Sequence, residues 1–210
     1  MKRASIASTA ALLLLALAAC DHPNDPRIEA TDGFGANSLD VYEVVTDLGS
    51  GWSIANGELV GTGPATHSLL LWNGYAIIDG WVEAESRRAD DGGLVLRYVD
   101  RFNYTVLAFR DDGAPGTLGT QNLAIVKRSG GTFTTLWSAD VTWPRNSLHR
   151  VRFESSGARL IAYFDDVAKG EVTDASTAGI SGRYGLRHNG TNATWVSTFD
   201  VFRWKVPLVR

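Results

Sequence analysis

Residues 52–61 read WSIANGELVG, two short arms on either side of an Asn-Gly pair. Apolar and polar side chains alternate along both arms, which is the pattern of a half-buried β-strand. Asn-Gly is the strongest short signal for a two-residue β-turn, because both residues tolerate a positive φ angle. The stretch therefore predicts a tight hairpin with a positive φ at Gly57, and it favours a β-rich protein around it.

Short strands separated by turn residues continue along the chain. Glycine-containing turns predict two further hairpins, around Ser129–Gly131 and around Ser155–Gly157. No stretch keeps a 3.6-residue apolar period, so we expect little helix beyond a turn near Asn37–Tyr42. The other predicted strands are Ser68–Trp72, Tyr75–Arg88, Gly93–Asp100, Asn103–Arg110, Asn122–Arg128, Thr132–Ala139, Leu148–Glu154, Arg159–Phe164, Arg183–His188 and Thr194–Trp204. Strands at this spacing indicate a sandwich or a barrel.

The first twenty residues have the composition of an export signal. Two basic residues at positions 2–3 precede an apolar run at residues 10–19. This run is too short to span a bilayer, which needs about 20 apolar residues. A basic start, a short apolar run and small residues at its end are typical of a cleaved secretory signal peptide.

The end of that run reads Leu17-Ala18-Ala19-Cys20, which resembles the lipobox of bacterial lipoproteins. In that family the cysteine carries a diacylglyceryl group and becomes the acylated N-terminus after cleavage. Cys20 is the only cysteine in the chain, and an ordinary signal peptide with an incidental thiol is the alternative. We expect the lipoprotein signal at residues 1–20 to be cut just before Cys20, and the protein to be exported and lipid-anchored to the cell envelope.

Residues 21–31, DHPNDPRIEAT, are polar and contain two prolines, so we expect a flexible tether before one domain at residues 32–210. Loss of the signal peptide changes the net charge from −3 to −5, because it removes two basic residues and no acid. A mildly acidic chain without basic runs disfavours nucleic acid as a partner. Without a second cysteine, the domain folds without disulfides.

A series of turns, core positions and closing strands occurs in an order that resembles the order in a known superfamily. They are Asp32-Gly33-Phe34, Trp52, Asn56–Leu59, Ile78–Arg88, Gly92–Tyr98, Asn103–Val106, Lys127, Leu148–Phe153, Ala162–Asp165, Gly182–Leu186 and Ser197–Val201. Together they resemble the concanavalin A-like, laminin G-like jelly-roll superfamily over about residues 32–205. The resemblance implies an all-β, two-sheet antiparallel jelly-roll sandwich with little helix. It implies little about function, because this architecture hosts lectins, glycosidases, lyases and adhesion modules.

Family 16-type glucanases of this superfamily carry a Glu-x-Asp-x-x-Glu strand. Retaining hydrolysis needs two carboxyl groups about 5 Å apart, and therefore on one strand face. The candidate segment here, residues 83–88 (EAESRR), has two same-face glutamates and lacks the third acid. A solvated strand face, with glutamates paired to neighbouring arginines, explains the same pattern. The four histidines have no metal or triad partner at a recognisable spacing, and we expect no catalytic residue.

Strand alternation separates a predicted core side from an open side. The predicted core side of two central strands carries Leu94, Leu96, Tyr98, Thr105, Leu107 and Phe109. If the strand at residues 81–87 neighbours them, one open face carries Trp81, Glu83, Glu85, Arg97, Tyr104, Arg110 and Arg187. Aromatic rings stack on sugar rings, and guanidinium and carboxylate groups bind hydroxyls. This face predicts a poly- or oligosaccharide partner, and a plain solvated sheet is the alternative.

In many sandwiches of this type, an aspartate on the last strand and oxygens near the first strand hold a structural calcium ion. Asp32 and Asp200 match those positions, and no other cofactor is expected. The sequence thus predicts a lipid-anchored, non-catalytic, lectin-like or adhesion protein. Two alternatives stay open: an envelope scaffold that uses the sandwich for protein contacts, and a divergent glycoside hydrolase or polysaccharide lyase.

Overall fold

The protein is an all-β antiparallel sandwich with the jelly-roll architecture. A computed structural model describes residues 27–35, 38–46, 51–63, 68–110, 119–144, 146–190 and 196–207. The predicted signal peptide and residues 21–26 of the predicted tether lie outside these ranges. Within them, no helix is long and apolar enough to cross a membrane.

The described strands and two short 3-10 helices follow one another with short connections. In chain order they are β1 (Arg27–Asp32), η1 (Ser38–Val41), β2 (Tyr42–Thr46), β3 (Gly51–Ala55), β4 (Glu58–Thr62), β5 (Ser68–Trp72), β6 (Gly80–Ser86), β7 (Arg88–Ala89), β8 (Asp91–Asp100), β9 (Asn103–Arg110), β10 (Gly119–Ser129), β11 (Thr132–Trp143), β12 (His149–Ser156), β13 (Arg159–Phe164), β14 (Val167–Thr173), η2 (Ala175–Thr177), β15 (Arg183–His188), β16 (Val196–Phe199) and β17 (Val201–Pro207). The helix η1 lies within the turn of helix predicted near Asn37–Tyr42.

The strands assemble into two large sheets and one small sheet. The six-stranded sheet has the order β1-β17-β6-β12-β13-β14, and the seven-stranded sheet has the order β11-β10-β9-β8-β15-β5-β2. The small sheet has the order β3-β4-β16-β7. All three predicted hairpins are confirmed, because β3 pairs with β4, β10 with β11, and β12 with β13.

The main core lies between the inner faces of the two large sheets. The seven-stranded sheet contributes Leu94, Leu96, Leu107 and Phe109, which confirms four predicted core positions. The six-stranded sheet contributes a matching set of buried residues: Val82, Ala84, Val151, Phe153, Phe202 and Trp204. Each large apolar side chain buried in this way stabilises the fold by roughly 1.5–3 kcal/mol.

A β-bulge near the end of β8 changes the predicted alternation. The register with β9 shifts between Leu96 and Asp100, and Arg97 has a φ of 55°. Tyr98, which alternation assigned to the core, instead packs with Tyr104 in a second cluster on the outer face of the sheet. One extra residue reverses the direction of the side chains that follow it, so alternation alone mispredicts them.

The sandwich begins earlier than predicted. Residues Arg27–Asp32, mostly assigned to the tether, form β1 and pair with β17 at the edge of the six-stranded sheet. Glu29 is exposed whereas Ala30 packs against the core. This short stretch forms a strand only because it pairs with β17. The paired residues Arg27 and Pro207 are more than 170 positions apart in the chain.

Candidate functional site

Rows of side chains cross the outer face of the seven-stranded sheet. The registers of β8, β9 and β10 align Asp91, Arg110 and Asn122 in one row. The next two rows towards the middle of the sheet are Gly93, Ala108 and Ala124, and then Val95, Val106 and Val126. A polar row therefore borders an apolar floor whose middle row has no side chain longer than a methyl group.

These rows form an open groove of about 480 Å³. Its floor contains Val106, Ala108 and Ala124, and Phe133 and Ser138 of the edge strand β11 also line it. Gly93 lies against β9 so closely that an added Cβ would be 2.8 Å from Val106 Cγ2. The small residues thus keep the middle of this face low and leave room for a ligand.

A buried polar cluster closes one end of the groove. The Arg187 guanidinium, from β15, donates through Nη1 to Asp91 Oδ1 at 2.9 Å, and Asn189 Nδ2 donates to Asp91 Oδ2 at 2.6 Å. Within the part of the chain that the structure describes, Arg187 Nε and Asn189 Oδ1 are buried and have no hydrogen-bond partner. An unpartnered buried polar atom costs about 1–3 kcal/mol. Both atoms are closed to solvent, so the cluster fixes the shape of this end of the groove, and the Arg110 and Asn122 side chains beside it are accessible to a ligand.

The structure divides the seven predicted sugar-binding residues among three locations. Arg110 and Arg187 line the groove. Tyr104 lies on the same face but packs against other aromatic rings, with centroids 6.1 Å from Tyr98 and 6.3 Å from Phe133. The single open face predicted from alternation does not form, because β6 and β8 belong to different sheets.

Trp81, Glu83 and Glu85 lie on the outer face of the six-stranded sheet. Arg203 Nη1 lies 3.1 Å from Glu83 Oε1 and 2.6 Å from Glu85 Oε1, and Arg150 lies 3.5 Å from each glutamate. Burial raises the pKa of Glu83, and the neighbouring arginines only partly oppose that rise. This arrangement matches the alternative interpretation, in which these glutamates pair with arginines on neighbouring strands.

Arg97 points into one end of the sandwich. It is 2% exposed, and its guanidinium donates to the Gly157 carbonyl at 2.5 Å and to Thr177 Oγ1 at 2.9 Å. Asp79 lies 3.5 Å away, and burial lowers the pKa of Arg97. The bulge in β8 turns this side chain away from the outer face. The prediction that Arg97 binds sugar is therefore wrong, because Arg97 instead links neighbouring loops by hydrogen bonds.

The predicted calcium ligands have partners within the protein. Asp32 accepts hydrogen bonds from the Phe34 backbone N–H at 2.7 Å and from the Tyr42 hydroxyl at 2.9 Å. Burial and the Asp32 carboxylate raise the pKa of Tyr42. Asp200 Oδ1 lies 3.0 Å from Arg87 Nε. Among the described residues, no group of three His, Cys, Asp or Glu side chains is placed to hold a metal ion, and a calcium ion bound by Asp32 or Asp200 with backbone oxygens stays a prediction.

A Ser-His-Asp chain lies at residues that the sequence analysis did not connect. His149 Nε2 is 2.8 Å from Ser147 Oγ, and His149 Nδ1 is 2.8 Å from Asp165 Oδ2. The Ser147 hydroxyl also donates to the Pro144 carbonyl, and Asp165 Oδ1 accepts from the Arg150 backbone N–H at 3.0 Å. These bonds connect the β13–β14 turn to the start of β12.

Sequence analysis missed several residues that line the groove: Asp91, Asn122, Phe133, Ser138 and Asn189. One signal was present, since a polar residue and a small residue stand two apart in all three central strands. These pairs are Asp91 and Gly93, Ala108 and Arg110, and Asn122 and Ala124. Their alignment depends on strand order, which local patterns do not contain.

No protein-family model matches the sequence, and no curated protein matches it. Solved structures do match. The carbohydrate-binding module CBM66 from Bacillus subtilis has a TM-score of 0.59 and 17% identity, covering 79% of this chain and 95% of that one. The kappa-carrageenase from Pseudoalteromonas carrageenovora, in complex with an oligotetrasaccharide of kappa-carrageenan, has a TM-score of 0.56 and 12% identity, covering 92% and 100%. A Bacillus licheniformis β-glucanase has a TM-score of 0.58 and 12% identity, covering 84% and 97%. At these identities the likeness shows the fold, a concanavalin A-like jelly-roll sandwich.

Proposed function

We propose that this protein is a lipid-anchored envelope protein whose sandwich binds a poly- or oligosaccharide in the groove of the seven-stranded sheet. The observation that carries the proposal is the polar pair of Arg110 and Asn122, which lies beside the apolar floor of the groove. Sugar hydroxyls form hydrogen bonds with guanidinium and amide groups of this kind. The apolar floor suits the C–H face of a sugar ring.

The similar structures support a saccharide as the ligand, since they include a carbohydrate-binding module and a carrageenase bound to an oligosaccharide. The proposed anchor rests on the short apolar run and the lipobox-like segment that ends at Cys20. Among the described residues, those of the groove floor carry no aromatic ring for stacking. We therefore expect weak binding, with a Kd in the micromolar to millimolar range, about −4 to −8 kcal/mol.

The test uses the full-length protein in detergent micelles on an array of polysaccharides and oligosaccharides, followed by calorimetric titration of any glycan that binds. Arg110→Ala and Asn122→Ala should weaken binding, because both side chains line the groove. Arg159→Ala is the matched control, since Arg159 pairs with Glu171 on the other sheet. Equal loss in all three variants, or no glycan bound, would contradict the proposal.

Hydrolysis is the second candidate function, because glycoside hydrolases are among the similar structures. Among the described residues that line the groove, Asp91 supplies the carboxylate, and both of its oxygens already accept hydrogen bonds. Incubation of the bound glycan with the protein, followed by a reducing-end assay, separates the two functions. New reducing ends that disappear in Asp91→Asn would favour the hydrolase.

A further inference from the structure

The described chain starts at one particular end of the sandwich. Arg27, the first residue of β1, pairs with Pro207 at the end of β17. Lys205, two residues before Pro207 on β17, pairs with Trp81, the second residue of β6. The same end of β6 pairs with Ser155, next to the β12–β13 turn at Gly157. The start of the sandwich therefore lies at the end of the molecule that carries this turn.

Turns of the seven-stranded sheet lie at the same end. The Arg97 guanidinium donates to the Gly157 carbonyl, and a few residues later the chain turns at Phe102 between β8 and β9. The Gly131 backbone N–H donates to the Phe102 carbonyl at 3.1 Å, so the β10–β11 turn lies beside it. The loop at residues 73–79 lies at the same end, because Ile78 and Asp79 also accept hydrogen bonds from Arg97. We call the start of β1 and these turns the tether end.

The tether end exposes several large apolar side chains. Tyr75 is 66% exposed, Val99 is 55% exposed and Phe102 is 44% exposed. The Arg101 guanidinium lies over the Phe102 ring, 4.8 Å from its centroid. Single exposed apolar residues are ordinary on a protein surface. Exposed aromatic rings and a cation at the same end of a molecule are the composition of surfaces that lie at the lipid headgroup level.

We propose that the tether end rests on the membrane surface, with Tyr75, Val99 and Phe102 among the lipid headgroups and Arg101 beside their phosphates. This inference rests on the proposed lipid attachment at Cys20. Arg27 is seven positions after Cys20 in the chain, a reach of at most about 25 Å even when fully extended. The anchored sandwich thus stays close to the bilayer with this end towards it.

This orientation directs the polar end of the groove away from the membrane. Asp91 is the first residue of β8, whereas Arg97 and Asp100, at the tether end, lie near its last residue. Asn189 and Arg187 bind Asp91 at that opposite end. A saccharide outside the bilayer can therefore reach the groove while the tether end contacts lipid.

The test places an environment-sensitive fluorophore at single positions of the full-length protein. Cys20 is the only native cysteine, so once it is acylated an introduced cysteine is the only free thiol. Phe102→Cys reports on the tether end. Val167→Cys is the control, because Val167 is 54% exposed and begins β14 directly after the β13–β14 turn, at the opposite end. Val99→Cys is the second tether-end variant, in case the first one does not fold.

Labelled proteins are reconstituted on vesicles of phosphatidylethanolamine and phosphatidylglycerol that contain a spin-labelled quencher lipid. We expect loss of most of the fluorescence at position 102 or 99 and little loss at position 167. Equal quenching at both ends overturns the proposed orientation. Intact mass of the purified protein reports acylation of Cys20 separately. An unacylated Cys20 overturns the anchor and the orientation that rests on it, whereas acylation with equal quenching overturns the orientation alone.

Discussion

Arg97 and Arg187 are two buried arginines of neighbouring strands whose hydrogen bonds differ. Arg97 donates to the Gly157 carbonyl, to Thr177 Oγ1 and towards Asp79, and it has a structural role between loops. Arg187 donates through Nη1 to Asp91, and its Nε has no partner among the described residues. The Arg187–Asp91 pair therefore forms the closed end of the groove.

Arg97→Ala should lower the free energy of unfolding by about 3 kcal/mol, because the substitution leaves buried acceptors unpartnered and creates a cavity. Urea denaturation measures this loss. Arg159→Ala serves as the control and should change stability by less than about 1 kcal/mol, since exposed ion pairs contribute little. An unchanged midpoint of urea denaturation in the Arg97 variant would contradict the structural role of Arg97 between the loops.

His188 should make stability dependent on pH. It is fully buried, with Nδ1 3.0 Å from Ser197 Oγ, and burial lowers its pKa. The unfolded chain then binds a proton at a higher pH than the folded protein does. The contribution of His188 is therefore complete above about pH 6.5, and it is lost as the pH falls from there through the lowered pKa of the folded state. The slope reaches at most about 1.4 kcal/mol per pH unit.

Melting temperatures measured from pH 8 to pH 5 test this dependence. In His188→Gln the decline attributable to this histidine should disappear, whatever the absolute stability of the variant. An identical decline in both proteins would mean that another group causes it.

At the scale of elements, the β3–β4 hairpin has the structure that its local sequence predicts. Asn56 has a φ of 57° and Gly57 a φ of 80°, which confirms the predicted positive φ at Gly57 and is typical of a type I′ turn. The bounds of β5, β9, β13 and β15 also coincide with their predictions. By contrast, β2 and β14 are edge strands with mostly exposed residues, so they have no clear apolar alternation to predict them.

Gly57→Val should destabilise the protein by roughly 1 kcal/mol or more, because a β-branched residue is strained at a positive φ. Gly51→Val is a matched control in the same hairpin. Gly51 is exposed, and an added Cβ would make only an ordinary contact, 3.8 Å from Thr62 Oγ1. The difference in melting temperature between the two variants measures the strain of the turn, and equal values would argue against it.

At the scale of the whole molecule, the groove is assembled from strands that are far apart in the chain. Its floor comes from β9 and β10, and its polar end joins β8 to β15. The small row across Gly93, Ala108 and Ala124 gives the groove its depth. A change of residue size in this row therefore alters the shape of the site without removing a polar group.

Ala124→Leu should weaken saccharide binding about tenfold, equivalent to about 1.4 kcal/mol, because its side chain fills the floor. Ala168→Leu is the control, since Ala168 is exposed on β14 of the other sheet. Calorimetric titration with the glycan found on the array compares the two. Unchanged affinity in the Ala124 variant would place the ligand elsewhere.

By itself, the sequence determined the bounds of β5, β9, β13 and β15, the glycine turns and the core side of β8 up to Leu96, because these depend on local periodicity and local φ preference. Only the tertiary structure decided that β6 lies in the other sheet from β8 and that a bulge turns Arg97 inward. It also decided that Arg187 meets Asp91, a residue 96 positions away in the chain. Strand order is set by the packing of whole sheets, and a local pattern of alternating side chains is compatible with many such orders.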